Sequence, residues 1–213
     1  MKYKIINSGS DGNCILINDE ILLDCGVSFK KIEPYYKKLK IVFISHIHKD
    51  HLLPTTIKKL AYERPTLRFA VGSFLIDKLL DCGVKKENID VLNLNTKLVY
   101  DSKFSIQPIK LYHDVPNFGI RVNIEDEKFI YITDTKTISG IKAKDYDLYL
   151  IEGNYDEDEI YERIKIKEQD GIFINEYRTI DTHLSIQEAT EWLIENMGDK
   201  SIYELIHKHK DRS

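Results

Sequence analysis

Ser45-His46-Ile47-His48-Lys49-Asp50-His51 follows directly on the apolar run Ile41-Val42-Phe43-Ile44, and its reading decides the fold. A short β-branched run closed by polar residues is the pattern of a buried strand, which puts H-x-H-x-D-H at the strand's mouth. His46 and His48 are two apart, so in extended backbone both side chains leave one face and can grip a single ion. Asp50 and His51 fall where the chain should turn, and they project elsewhere, towards a second ion. Imidazole nitrogen and carboxylate oxygen together suit zinc, iron or manganese. The chain holds seven histidines, three of them in these few residues, a concentration that a merely solvated turn does not need. The stretch reads as a metal site.

Working outward, further donors stand at the ends of strand-like runs. They are His113 after Lys110-Leu111-Tyr112, Asp134 closing Phe129-Ile130-Tyr131-Ile132-Thr133, and His207 after Ser201-Ile202-Tyr203-Glu204-Leu205-Ile206. In their order and approximate separations these motifs resemble the metallo-β-lactamase superfamily along almost the whole chain. The closer resemblance is to its YycJ/WalJ-like branch, akin to RNase Z. That likeness is carried by Asn7-Ser8-Gly9-Ser10-Asp11-Gly12-Asn13, Leu22-Leu23-Asp24-Cys25-Gly26, Ile132-Thr133-Asp134-Thr135, Ile151-Glu152-Gly153-Asn154 and Thr182-His183-Leu184-Ser185. The motifs are specific to the superfamily and less specific to one substrate.

The resemblance implies an α/β fold, the metallo-β-lactamase αββα sandwich of two mixed β-sheets flanked by helices. It implies two divalent metal ions, zinc first, with manganese or iron as alternatives. His46, His48 and His113 would hold one ion, Asp50, His51 and His207 the other, and Asp134 with a water or hydroxide would bridge them. Asp50 is also a candidate base, and Asp24 would support a ligand from behind. His183 is expected beside the metals as a proton donor to a leaving oxygen, a task its pKa suits. Its bland alternative is a loop residue ahead of a helix cap. Arg178, Ser185 and Asn154 are the expected substrate contacts, against the plainer readings of a solvated charge, a cap and a loop start. The match frays at the C-terminus, where Ile206-His207-Lys208-His209 replaces the Ala-His-Leu-Ser-type segment and the chain stops at Ser213. His207 ends the apolar run, but His209 shares its face in extended backbone and is the alternative last ligand. Tyr155 stands where the branch has a His after Asn154. So short an end leaves the pocket open, or leaves it to be completed by a partner subunit in a homodimer.

The bulk properties fit a cytoplasmic hydrolase built as one domain over residues 1–213. With 42% hydrophobic residues the chain can bury a sizeable core. A net charge of −4 gives no global basic field to draw in a polyanion, although a local patch would escape such a sum. Cys14, Cys25 and Cys82 are odd in number and sit in or beside apolar stretches, as small core residues of a reducing compartment do. No signal peptide or membrane span is visible, so no membrane partner is expected.

Periodicity predicts strands at Tyr3–Asn7, Cys14–Asn18, Ile21–Cys25, Ile41–Ser45 and Leu67–Val71, with helices at Phe29–Leu39, Leu53–Tyr62 and Ser73–Asp81. Runs at Asn88–Leu94, Lys97–Asp101, Phe104–Leu111, Phe118–Ile124 and Lys128–Thr133 predict a second, mostly antiparallel sheet. A charged helix follows Asp156 to about Glu168, and Ser185–Met197 is amphipathic with Ser185 as N-cap. The expected function is a dinuclear metal-dependent phosphodiester hydrolase, a nuclease acting on nucleic acid in the manner of the YycJ/WalJ branch. The alternative is a phosphodiesterase of small cyclic nucleotides, like the phage anti-Pycsar enzymes of this fold. Thioester, lactone or β-lactam hydrolysis uses the same ligands but has no call on His183. A metal-dependent binding module without activity would be expected to have lost ligands, and none is missing.

Overall fold

The computed structural model describes residues 1–208. In chain order it forms β1 (Tyr3–Asn7), β2 (Cys14–Ile17), β3 (Ile21–Leu23), α1 (Phe29–Ile32), β4 (Ile41–Ile44), α2 (Pro54–Glu63), β5 (Arg68–Gly72), α3 (Ile76–Asp81), β6 (Ile89–Leu92) and β7 (Leu98–Val99). The second half forms β8 (Phe104–Leu111), β9 (Asn117–Ile124), β10 (Glu127–Ile132), β11 (Leu148–Glu152), α4 (Glu157–Asp170), α5 (Glu176–Thr182), α6 (Ile186–Asn196) and β12 (Ile202–Ile206). Two mixed sheets result, ordered β1-β2-β3-β4-β5-β6 and β12-β11-β10-β9-β8-β7.

Burial explains the layering. β2 (CILI) and β4 (IVFI) are buried at every position because they are covered on both faces, as continuous apolar strands demand. On one side Leu16, Leu22, Val42 and Ile44 pack with Ile32, Ile57, Leu60 and Leu79 from the helices. On the other, Ile15, Leu23, Ile41 and Phe43 meet Ile120, Val122, Phe129, Tyr131 and Leu150 of the second sheet. Beyond that sheet, Ile130, Ile132, Tyr149 and Ile151 pack under Ala189, Trp192 and Leu193 of α6. Helix, sheet, sheet, helix is the αββα sandwich. Among the described residues no helix is long and apolar enough to cross a membrane.

Three sequence expectations need correction. The helix predicted over 29–39 stops at Ile32 and resumes only as a 3₁₀ turn at Tyr36–Lys38; Pro34 lacks the amide hydrogen that would carry the helical ladder on. The run near 88–94 belongs to the first sheet, not the second: β6 pairs parallel to β5 (Phe69 opposite Ile89) after the α3 crossover. Alternation alone does not say which sheet a strand joins. The helix α5, which carries Arg178, has no clear apolar period and went unpredicted.

Topology then gathers chemistry at one end. β3 to β6 run parallel, and β10, β11 and β12 run parallel in the second sheet. The residues that follow β3, β4, β8, β10, β11 and β12 all emerge on one rim. Strand C-termini of this kind are where α/β sheets place their ligands. The edge strands β1 and β12 also come together, with Tyr3 Oη donating to Glu204 Oε1 at 2.7 Å and, at the rim, the His207 amide donating to Ser8 Oγ at 2.7 Å.

Candidate metal centre

The strand β4 ends at Ile44, so His46 and His48 lie in the turn beyond it rather than in extended backbone. The amides of His51 and Leu52 both bond the His48 carbonyl, at 2.9 and 2.8 Å, which closes the turn. His46 and His48 still converge, with ring centroids 4.7 Å apart. The glycine loop after β1 braces this turn. Asn13 N donates to the Asp50 carbonyl at 2.6 Å, and Cys25 N donates to that of His51 at 2.8 Å. Gly26 lies so close that a Cβ there would sit 1.7 Å from the Asp50 carbonyl oxygen, so only glycine fits.

Seven residues form two quartets. His46, His48, His113 and Asp134 make one, and Asp50, His51, Asp134 and His207 the other; in each, one donor atom per residue lies within 4.8 Å of the others. Asp134 is shared. Four of the seven come from the β4 turn on the first sheet, and His113, Asp134 and His207 come from β8, β10 and β12 on the second. Every sequence-predicted ligand is thus in one cluster, and the alternative His209 lies outside the described residues.

Four of the five imidazoles are turned by a partner on the far nitrogen. His51 Nδ1 donates to Asp24 Oδ2 at 2.6 Å, and His113 Nδ1 donates to the Thr182 carbonyl at 2.9 Å. His46 Nδ1 lies 3.0 Å from Ser45 Oγ. His207 Nδ1 faces Glu152 Oε1 at 3.4 Å, and Asn154 Nδ2 donates to the His207 carbonyl at 2.9 Å. The Nε2 atoms of His46, His51, His113 and His207 face inward to the carboxylates, each within 3.8 Å of Asp134. Orientation of this kind fixes which nitrogen offers its lone pair. His46 Nε2 is the telling atom: it is buried and has no hydrogen-bond partner. An orphaned inward-facing nitrogen among imidazoles and carboxylates is what a divalent cation completes, so the residues present fit metal ions.

Asp24 is fully buried and supports this arrangement from behind. Its carboxylate accepts four hydrogen bonds, from Ser45 N (2.7 Å), Ser45 Oγ (2.9 Å), His51 Nδ1 (2.6 Å) and Tyr131 Oη (2.6 Å). Asp24, Asp134 and His207 all have left-handed backbone, with φ of 57°, 50° and 55°. Such conformations are costly for non-glycine residues and gather at functional sites.

Electrostatics follow the crowding. Burial and then the neighbouring His51 ring hold the His46 pKa well below the ordinary imidazole value. At His51 burial acts the same way, but Asp134 and Asp24 outweigh it and raise the pKa well above that value. His207, against Asp134, Asp50 and Glu152, is pushed up to about 10 in spite of burial. Burial would raise Asp50, yet the hydrogen bonds from His207 and His51 keep it well below the carboxylate range.

His183 stands at the mouth of the cluster, its ring 5.2 Å from that of His113 and 5.3 Å from that of His207. Its Nδ1 donates to Glu152 Oε1 at 2.6 Å. Burial lowers its pKa, but the Glu152 carboxylate more than reverses this, so the imidazole is more basic than usual. Arg178 reaches the rim from α5, where Nη2 bonds Asp114 Oδ2 at 2.7 Å; the guanidinium is otherwise three-quarters exposed. Together with Ser10, Asn175, Thr179 and Thr182 these groups line a cavity of about 270 Å³ over the quartets.

Two expected substrate contacts are corrected. Ser185 is fully buried; its Oγ accepts the Glu188 amide at 3.0 Å and donates to Glu157 at 2.6 Å, so it caps α6 and does not line the cavity. Asn154 is held behind His207 rather than lining the cavity. Asp114 and Tyr131 escaped the sequence reading. Asp114 Oδ1 lies 3.1 Å from His113 Nε2 and 3.4 Å from His48 Nε2; its place next to His113 was the available signal. Tyr131 is an apolar strand residue by pattern, and nothing in the sequence marks its hydroxyl.

The sequence matches the Beta-lactamase superfamily domain over residues 19–207. No curated protein matches it. Among solved structures it is similar to human tRNase Z, short form, with a TM-score of 0.73 at 15% identity, covering 99% of this chain and 93% of that one. It is also similar to the metallo-beta-lactamase fold protein YhfI from Bacillus subtilis, with a TM-score of 0.71 at 19% identity over 99% of this chain and 87% of that one. A third likeness is to a diphosphatase of the PhnP family, with a TM-score of 0.63 at 12% identity over 97% and 85% of the two chains. Likeness at such identities is likeness of fold.

Proposed function

Because this chain belongs to the beta-lactamase superfamily, we propose that it is a dinuclear metal-dependent phosphodiester hydrolase, a nuclease of the YycJ/WalJ type. The observation that carries this reading is the His183–Glu152 pair beside the two quartets. Thioester hydrolysis expels a thiolate, a leaving group that does not call for a second, carboxylate-backed imidazole at the mouth of the site. A phosphodiester leaves an alkoxide, which does. The likeness of fold to a tRNase Z and to a diphosphatase supports hydrolysis at phosphate.

His46, His48, His113 and Asp134 would hold one divalent ion, and Asp50, His51, His207 and Asp134 the second. Zinc suits this nitrogen-rich set best, with manganese or iron as alternatives. Bound divalent ions supply a nucleophilic water at neutral pH and stabilise charge on phosphate oxygens. The chain's own residues do the rest. His183, whose charged form the Glu152 carboxylate favours, gives its Nε2 proton to the leaving oxygen, while Nδ1 stays on Glu152 and fixes the ring. Asp50, whose carboxylate lines the cavity over the quartets, is placed to accept a proton. A phosphate entering from the rim competes with Asp114 for the Arg178 guanidinium, which suits bidentate contact with its oxygens.

The compact cavity of about 270 Å³ favours a second substrate, a small cyclic nucleotide, under the same chemistry. The test is cleavage of end-labelled linear DNA and of cyclic nucleotides by zinc- or manganese-loaded protein, with Asp50→Ala as the blank. Shortening of the labelled strand that disappears in the variant supports the nuclease. Cyclic-nucleotide turnover alone moves the assignment to the alternative, and neither activity in metal-loaded protein refutes the phosphodiesterase.

A further inference from the structure

Ser10 and Asp50 line two cavities at once. One is the small cavity over the quartets. The other adjoins it across Asp50, measures about 590 Å³, and is walled by Lys31, Lys49, Ser28 and the Gly26–Val27 stretch, with Asp11 at its lip. The hydrolytic reading makes no use of it. Lys49 is exposed and makes no hydrogen bond or ion pair among the described residues. The Lys31 ammonium meets only a neutral acceptor, Asn7 Oδ1, at 2.8 Å.

The sequence around this cavity is strongly biased. Residues 28–59 carry eight lysines against two acids, Glu33 and Asp50, a surplus of six positive charges in a chain whose net charge is −4. Lys40 and Lys59 are paired with Glu20 and Glu63. Lys31 and Lys49 are not paired with acids, and they are the two that line the cavity. A pair of ammonium groups with serine hydroxyls, reached through shared walls from the reaction centre, matches a phosphate that is covalently continuous with the one being cleaved. Lysine binds phosphate as a point charge and reads no base, so this contact would position a strand without selecting sequence.

We propose that the Lys31–Lys49 cavity receives the neighbouring phosphate of a nucleic-acid strand while the scissile phosphate lies over the histidine quartets. The substrate class is therefore an oligonucleotide rather than a small cyclic nucleotide. This rests on the phosphodiesterase reading and narrows it. A mononucleotide ring has no second phosphodiester to place across Asp50, so it forgoes the contact.

The test combines binding with turnover. Metal-loaded native protein, Lys31→Ala/Lys49→Ala and Lys49→Glu are titrated into a fluorescein-labelled phosphorothioate hexathymidylate, which resists hydrolysis, across a range of salt. Both variants change exposed side chains, and their melting temperatures serve as the control for folding. The double variant is expected to bind at least ~10-fold more weakly at low salt, and its log–log salt slope should fall by about 1.4, near 0.7 for each lost single-strand phosphate contact. Lys49→Glu should weaken binding further than neutralising that position alone. In turnover, the ratio of kcat/KM for the natural hexamer to that for bis(4-nitrophenyl) phosphate should fall by a similar factor. Unchanged affinity and slope in both folded variants overturns the subsite, as does failure of native protein to bind the hexamer. Lysine-dependent binding by a native protein that cleaves neither ester upholds the subsite and refutes the hydrolase separately.

Discussion

Replacing Asp24 by Asn keeps the shape of the side chain and removes its charge, so the consequence can be worked from four distances. Oδ1 accepts Ser45 N at 2.7 Å, while Oδ2 accepts Ser45 Oγ, His51 Nδ1 and Tyr131 Oη at 2.9, 2.6 and 2.6 Å. The amide is best placed with its oxygen at the Oδ2 position, which sets its NH₂ against the Ser45 amide, donor to donor. That one buried mismatch costs about 1–3 kcal/mol, and the three retained bonds each lose roughly 1 kcal/mol on passing from charged to neutral acceptor. About 4–6 kcal/mol is a large share of the ~5–15 kcal/mol that holds a domain folded. For a chain of this size it corresponds to a melting temperature lower by about 8–24 °C. His51 also loses the partner that fixes its Nδ1 proton, so metal affinity should fall about 10–100-fold. Calorimetric melting in chelator isolates the first effect, and titration of zinc into the metal-free protein measures the second. A variant that melts within about 2 °C of the native protein and binds zinc equally well would refute the account of Asp24 as the buried brace of the site.

Other substitutions separate the remaining roles. Asp134→Ala should remove or disorder bound metal at both quartets, read by metal analysis after dialysis; full metal content with full activity would sink the shared-ligand assignment. His183→Ala should retain metal while turnover of a diester with a poor leaving group slows by roughly 10²–10⁴, and an unchanged rate would return His183 to a passive loop role. Ser185→Ala should lower stability by about 1–2 kcal/mol through loss of the α6 cap and leave metal affinity and KM alone; a raised KM would restore it as a substrate contact.

Much of this was legible in the sequence because strand ends and ligand residues are local features. The H-x-H-x-D-H turn, His113, Asp134 and His207 each follow a short apolar run, and such runs fix both the strand and the place where the chain leaves it. What was not legible depended on packing at a distance. Asn154 and Ser185 carry side chains suited to phosphate, but their hydrogen bonds are taken up by His207 and by the amide of Glu188. Tyr131 contributes to the site through one hydroxyl in an otherwise apolar strand, which a hydropathy pattern cannot separate from core. The run over 88–94 reads as part of the second sheet because a parallel crossover and a hairpin return can begin with the same alternating residues, whereas β6 pairs with β5. Pro34, by contrast, is a helix stop readable in the sequence, and the helix ends ahead of it.

The division of the ligands between the sheets reaches beyond the reaction. Neither His46, His48, Asp50 and His51 on one half nor His113, Asp134 and His207 on the other makes a full set. An ion that binds only when the halves are docked favours the docked state by mass action, by about 2.7 kcal/mol when free metal stands at 100 times Kd. Amide exchange should therefore slow most along the seam on metal addition, in β3, β4 and β10, rather than in the outer helices. Metal supply would in that case tune how long the molecule survives proteolysis, quite apart from how fast it turns over.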